Sequence, residues 1–180
     1  MKNFASVLLA VACLFNCGQA KADITQTTLD AAYAVKSAVQ AIWEATRNTS
    51  PEGYLHGQVR DLGDDLGDLG VRIYQLNQPQ GTIDQLNNQL YSLSETHMFV
   101  SSDLSTVGTA ASNLFNSVNE AYEAWIANPT EFVQLDVDTE LAGYSAAMSD
   151  LSDDYDEILE DIGDLQGGVL ALMTTVGELE

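Results

Sequence analysis

Apolar residues return at steps of four and three along most of this chain. One row runs Val137, Leu141, Tyr144, Met148, Leu151, Tyr155, Ile158, Ile162, Leu165, Val169, Leu172, Val176 and Leu179, and all thirteen positions are apolar or aromatic. With 46% of the residues hydrophobic, such a row would arise by chance about once in 20,000 registers, so the heptad period is a real signal. A second row runs Ile83, Leu86, Leu90, Leu93, His97, Val100, Leu104, Val107, Ala111, Leu114, Val118, Ala121 and Trp125, and only His97 interrupts it. A shorter row comprises Leu55, Val59, Leu62, Leu66, Leu69, Ile73 and Leu76. Only an α-helix places such positions on one face.

The punctuation between the rows agrees. Asp23 with Gln26, and Thr82 with Gln85, have capping-box spacing, in which each side chain satisfies the other's exposed backbone N–H. Ser50-Pro51-Glu52 reads as a cap followed by proline at the first helical position, while Pro79 with Gly81 and Asn128-Pro129 mark joins. The pattern predicts helices over about 23–48, 53–77, 82–127 and 137–179. The first of these rests on Val35, Val39 and Ile42 with Trp43 beside them.

The last two rows cover equal lengths, ~65 Å of helix each, which suggests an antiparallel hairpin with matched ends. The predicted fold class is therefore all-α: an elongated antiparallel bundle of three or four helices with coiled-coil-like heptad packing and left-handed coiling. The first two helices are about half as long. They either fold back on each other against one half of the hairpin or run end to end through the Pro51 break, and the sequence leaves both open.

Glycines interrupt two of these helices, at Gly63, Gly67 and Gly70 and at Gly163, Gly167 and Gly168. Each costs up to ~1 kcal/mol relative to alanine. GxxxG spacing lets helices approach closely in membranes, but these glycines lie off the heptad seam, so local softness is the expectation. Leu66-Gly67-Asp68-Leu69 and Ile162-Gly163-Asp164-Leu165 look alike, a match too short to establish a duplication.

The amino terminus is an address. Residues 1–22 have a basic start at Lys2, an apolar stretch from Phe4 to Phe15 and small-residue cleavage options at Gly18-Gln19-Ala20 or Ala20-Lys21-Ala22. This is the layout of a cleaved secretory signal peptide, leaving 23–180 as a single acidic helical-bundle domain. Asn16 before Cys17 does not suit a lipoprotein box. Cleavage removes Cys13 and Cys17, so the mature chain has no cysteine for disulfides, thiolate metal sites or nucleophilic catalysis. No later segment has the ~18 apolar residues of a transmembrane span. The expected location is secreted and extracellular, or periplasmic in a Gram-negative source. Asn48-Thr49-Ser50 is a glycosylation sequon at a predicted helix join, which makes Asn48 a candidate modification site.

Charge narrows the choice of partners. The 27 Asp and Glu against 6 Lys and Arg give a formal charge of −21, which opposes binding to nucleic acid or to an anionic membrane. The mature cations are Lys36, Arg47, Arg60 and Arg72, and the final 108 residues contain none. Asp150, Asp153, Asp154, Glu157, Asp161 and Asp164 recur at steps of three and four, so several share a face and repel one another. Relief must come from counter-ions, from the four early cations or from a basic partner. These six are the candidates for weak, low-affinity cation screening, calcium being the natural ion. Asp136-Val137-Asp138-Thr139-Glu140 lacks the glycine and terminal glutamate of an EF-hand loop. The plainer reading of the acidic run is a solvated face that keeps the protein soluble.

Catalytic signals are absent: there is no nucleophile elbow, phosphate loop or metalloprotease motif, and a non-enzymatic protein without a resident cofactor is expected. His97, the one polar residue on its seam, is expected to be satisfied within the core rather than to bind metal, and His56 is expected to face solvent. Met98 cannot share an iron with His97, because neighbouring helical residues point about 100° apart. Tyr91, Met98, Phe99, Phe115 and Tyr122 lie off the strict seam and add apolar surface. They would either meet the first two helices or receive an apolar small molecule or lipid. The leading functional expectation is a structural or interaction module working through its acidic surface, by recruiting a basic protein or by self-association through the heptad seams. A helical-bundle carrier is the alternative.

Overall fold

The computed structural model describes residues 24–47 and 54–180. The predicted leader, the Asp23 cap, the Asn48 sequon and the Ser50-Pro51 join lie outside the described residues. Among the described residues the chain is all-α without a strand: four helices pack against each other, α1 (Gln26–Thr46), α2 (Tyr54–Gln75), α3 (Gln80–Ala127) and α4 (Gln134–Leu179). Every position of the three apolar rows is buried or half-buried and none is exposed, so the heptad register is the packing register.

Several helix ends differ from expectation. Thr25 caps α1, its Oγ1 accepting the Thr28 N–H at 3.2 Å, where the spacing had pointed to Asp23 and Gln26. The Pro79 carbonyl accepts the N–H groups of Thr82 and Ile83 at 2.9 and 3.2 Å, so α3 begins on the proline and Thr82 lies inside the first turn instead of capping it. Proline's fixed φ suits that start. At α4 the Val133 carbonyl takes the N–H groups of Asp136 and Val137 at 2.9 and 3.2 Å, a full turn's worth of chain before the first seam residue. The seam pattern could not see these turns, because they precede the first seam residues, Ile83 and Val137.

The described residues form two compact units that share α3 and α4. The first takes the chain through Glu44 together with Val107–Asp154, and the second takes Ala45–Thr106 with Tyr155–Glu180. Almost all of α1 belongs to the first unit and α2 to the second.

In the first unit, Ala32, Val35, Val39 and Ile42 of α1 are buried with Ala111, Val118 and Trp125 of α3 and with Val137, Leu141 and Met148 of α4. Burying each larger side chain contributes ~1.5–3 kcal/mol. Trp43 stacks on Phe115 with ring centroids 5.1 Å apart, and Trp125 packs beside Tyr144 at 6.5 Å. Where α1 and α4 begin, Gln134 Oε1 accepts the Thr25 N–H at 2.8 Å, and Gln134 Nε2 donates to Thr28 Oγ1 at 2.8 Å and to Asp138 at 2.6 Å. Thr28 is itself buried, so this network satisfies a polar group that would otherwise be costly to bury.

In the second unit, Leu62, Leu66, Leu69 and Ile73 of α2 share one core with Leu86 of α3 and with Leu165, Val169, Leu172 and Val176 of α4. α2 runs antiparallel to α3, since Gly63 faces His97 while Gly70 faces Leu90. Here the expectation of mere softness is overturned: a Cβ on Gly168 would lie 2.6 Å from Leu93 Cδ2, and one on Gly63 2.8 Å from His97 Nε2. These two glycines are sockets for α3 side chains. Gly67, Gly163 and Gly167 meet nothing within 4 Å. The unit closes with Arg72, whose guanidinium donates to both Glu180 carboxylate oxygens at 2.7 and 2.9 Å.

Candidate functional site

Because the seam residues of α4 are committed to packing, its carboxylates are left outside. Asp150, Asp153 and Asp154, in the first unit, are exposed; in the second, Glu157 and Asp164 are exposed and Asp161 is half-buried. No three His, Cys, Asp or Glu side chains among the described residues converge as a metal-holding group. Asp136, Asp138 and Glu140 belong to the first turns of α4 rather than to a loop. Asp138 accepts from Gln134, and Glu140 accepts the Tyr144 hydroxyl at 2.8 Å.

Three of the cations are directed elsewhere. Lys36 pairs with Glu123 at 3.3 Å, Arg60 with its neighbour Asp61 at 2.9 Å and Arg72 with Glu180 at 2.7 Å. None of these three acids belongs to the 150–164 run. Lys36 Nζ also stands 5.0 Å from the centroid of the Tyr122 ring. An aromatic face and a carboxylate from adjacent positions of α3 thus receive one ammonium together.

His97 is half-buried, and its Nε2 lies 2.8 Å from the Val59 carbonyl oxygen. Donation from that nitrogen assigns the proton to Nε2 and gives the imidazole a backbone partner across the α2–α3 interface. Gly63 leaves the space it occupies. His56 is half-buried, not solvent-facing as its place near a helix start suggested; the breadth of the α2 packing face extends to it.

The off-seam apolar residues divide into two groups. Phe115 and Tyr122 turn toward α1, against Trp43 and Tyr33 respectively. Tyr91, Met98 and Phe99 remain 66%, 71% and 68% exposed, so they line no interior. An open hollow of about 340 Å³ between α3 and α4 of the second unit is lined by Gln89, Ser92, Leu93, Gly168, Ala171, Leu172 and Thr175.

Two tyrosines of the α4 seam have strongly shifted hydroxyls. Burial pushes Tyr144 up to about 12, with the hydrogen bond to Glu140 adding to it. Burial likewise raises Tyr155 to about 12, assisted by Tyr54. Both changes favour the neutral phenol and describe packing rather than acid–base chemistry.

Sequence reasoning overlooked one arrangement. Tyr91, Glu95, Phe99 and Asp103 alternate aromatic and acid at every fourth residue of α3, and all four are exposed. Glu95, one turn on, raises the Tyr91 phenol above its ordinary value. The signal was an i, i+4 ridge on the face opposite the seam: reading Tyr91 and Phe99 there as apolar surface leaves out the acids that alternate with them.

No family model, curated protein or solved structure matches this chain. No helix among the described residues is long and apolar enough to cross a membrane.

Proposed function

We propose that this protein is an exported, non-enzymatic structural or interaction module that recruits basic partners through its acidic surface. The observation that carries this reading is the exposure of the α4 carboxylates away from three cations whose partners lie outside the run. The carboxylates at 150, 153, 154, 157 and 164 are exposed, while Lys36, Arg60 and Arg72 pair with Glu123, Asp61 and Glu180 instead. Like charges one helical turn apart oppose the helix that carries them. A cationic partner relieves that repulsion on binding, so part of the interaction energy comes from the protein's own destabilised surface.

The leader predicted over residues 1–22 supports the exported half of the reading. Expression of the full chain in a secretion-competent host, followed by mass spectrometry of the medium or periplasm, tests it. Recovery of a chain beginning at Lys21 or Asp23 supports export, and retention of Met1 in the cytoplasm refutes it. The recruiting half is tested by titrating polylysine at about 150 mM salt into the wild type and into a variant with Asp150, Asp153, Asp154, Glu157, Asp161 and Asp164 changed to Asn or Gln. At least a tenfold loss of affinity is expected, on the order of what several exposed pairs contribute together. Equal affinities would sink the reading.

A further inference from the structure

The outward ridge of α3 in the second unit combines aromatic rings with carboxylates. Tyr91, Glu95, Phe99 and Asp103 follow one another at single-turn spacing, with neighbours about 5–6 Å apart at Cβ, and Met98 flanks them. All five are exposed. An aromatic ring two-thirds exposed is a poor solubility device, and two rings with a thioether on one face form an apolar strip that needs covering. The strip is not purely apolar, because each ring is followed by a carboxylate.

The molecule already shows what such a combination receives. On the same helix, Tyr122 and Glu123 hold the Lys36 ammonium between ring face and carboxylate, at 5.0 Å and 3.3 Å. The ring supplies its negative quadrupole and the carboxylate its full charge, so the two attract the same ion from different sides. A second copy of the chain would bring a formal charge of −21 to this surface, which opposes self-docking there.

We propose that the Tyr91–Glu95–Phe99–Asp103 ridge, with Met98, is a docking site for a cationic, amphipathic protein segment whose arginine or lysine side chains sit over the rings against the carboxylates. Its apolar side chains cover Met98 and Phe99. The proposal rests on the reading of the protein as a receiver of basic partners and names a second, chemically distinct contact. The α4 acids would attract by charge alone, whereas this ridge requires apolar character in the partner.

The test uses the full chain, labelled at its methionine methyl groups, and a synthetic peptide with arginine and leucine at helical spacing, at about 150 mM salt. Oligoarginine of the same charge is the comparison. The expected result is a shift of the Met98 methyl resonance on peptide addition with the buried Met148 unmoved. A Met98→Ser/Phe99→Ser variant should lose at least about tenfold in peptide affinity while binding oligoarginine as before. Both residues are exposed, so unchanged circular dichroism is expected, and Glu95→Gln/Asp103→Asn supplies an independent variant that leaves the rings in place. If peptide affinity is lost only on neutralising the α4 acids and Met98 does not shift, the ridge proposal fails while the recruiting function stands. If neither peptide binds, both fail. If the Met98→Ser/Phe99→Ser variant loses affinity instead for neutral phosphatidylcholine vesicles, with the peptide unaffected, the ridge is a lipid surface and the proposal is overturned.

Discussion

The imidazole of His97 occupies the space that a side chain at position 63 would fill: a Cβ on Gly63 would come within 2.8 Å of His97 Nε2, the atom that lies 2.8 Å from the Val59 carbonyl. Glycine inside an exposed helix normally costs ~1 kcal/mol, and here that cost accompanies a hydrogen bond between α2 and α3. Gly63→Ala should therefore lower stability by ~1 kcal/mol despite its better helix propensity, as read from urea unfolding. In a His97→Ala background the same change should become neutral or stabilising, because the clash is gone. Additive effects would show that the socket is not what retains the glycine.

Gly67 is the internal control. Nothing lies within 4 Å of a Cβ built there, so Gly67→Ala should stabilise by ~0.5–1 kcal/mol through propensity alone. Gly168→Ala, with Leu93 Cδ2 at 2.6 Å, should instead destabilise by ~1–3 kcal/mol. Thermal melts of the two variants should move in opposite directions.

Lys36 is held by a ring and a carboxylate at once, and its side chain is only 16% exposed. Lys36→Met keeps most of the packed stem and removes the charge. A loss of ~0.5–1.5 kcal/mol is expected at low salt, shrinking as salt rises because the Glu123 partner is 57% exposed. A loss independent of salt would mean that the stem, not the ammonium, provides the stabilisation.

The tyrosines define an alkaline limit. A phenol whose folded pKa lies above its unfolded value stabilises the fold fully below pH 10 and loses that contribution as pH rises through its folded pKa. With Tyr144 and Tyr155 both pushed from 10.0 to about 12, stability should fall between pH 10 and 12. Tyr144→Phe and Tyr155→Phe should each flatten that decline in melts at pH 8 and pH 11. An unchanged slope in both variants would place the loss elsewhere.

The acidic run on α4 predicts an unusual response to ions. Raising salt from about 10 to 500 mM shortens the screening length from roughly 30 to 4 Å, which should raise the melting temperature. Millimolar calcium should do the same at far lower ionic strength if the carboxylates concentrate divalent cations, as light scattering and circular dichroism at low salt would show. Calcium no better than sodium at equal ionic strength would reduce the six candidates to a solvated surface.

Most of this fold was legible in one dimension. Seven-residue spacing specifies which face of a helix is apolar, and the apolar face must be buried, so the rows ending at Leu76, Trp125 and Leu179 identified α2, α3 and α4 and their packing sides. Helix starts were less legible. The first turns of α3 and α4 precede the first seam residues, and their first hydrogen bonds are accepted by the backbone carbonyls of Pro79 and Val133, which have no signature in side-chain type. The exposed acids of α4 followed from the same periodicity, since whatever lies off a packed seam meets water.

What periodicity leaves undecided is register between helices, because sliding one heptad past another preserves every apolar contact in kind. Only the tertiary structure brings His97 to Gly63, Leu93 to Gly168 and Gln134 to Thr28. For the same reason it alone assigns α1 and α2 to different units and separates Phe115 and Tyr122, which pack against α1, from Tyr91 and Phe99, which remain outside. Residues equal in hydrophobicity thus acquire different roles according to which neighbour reaches them.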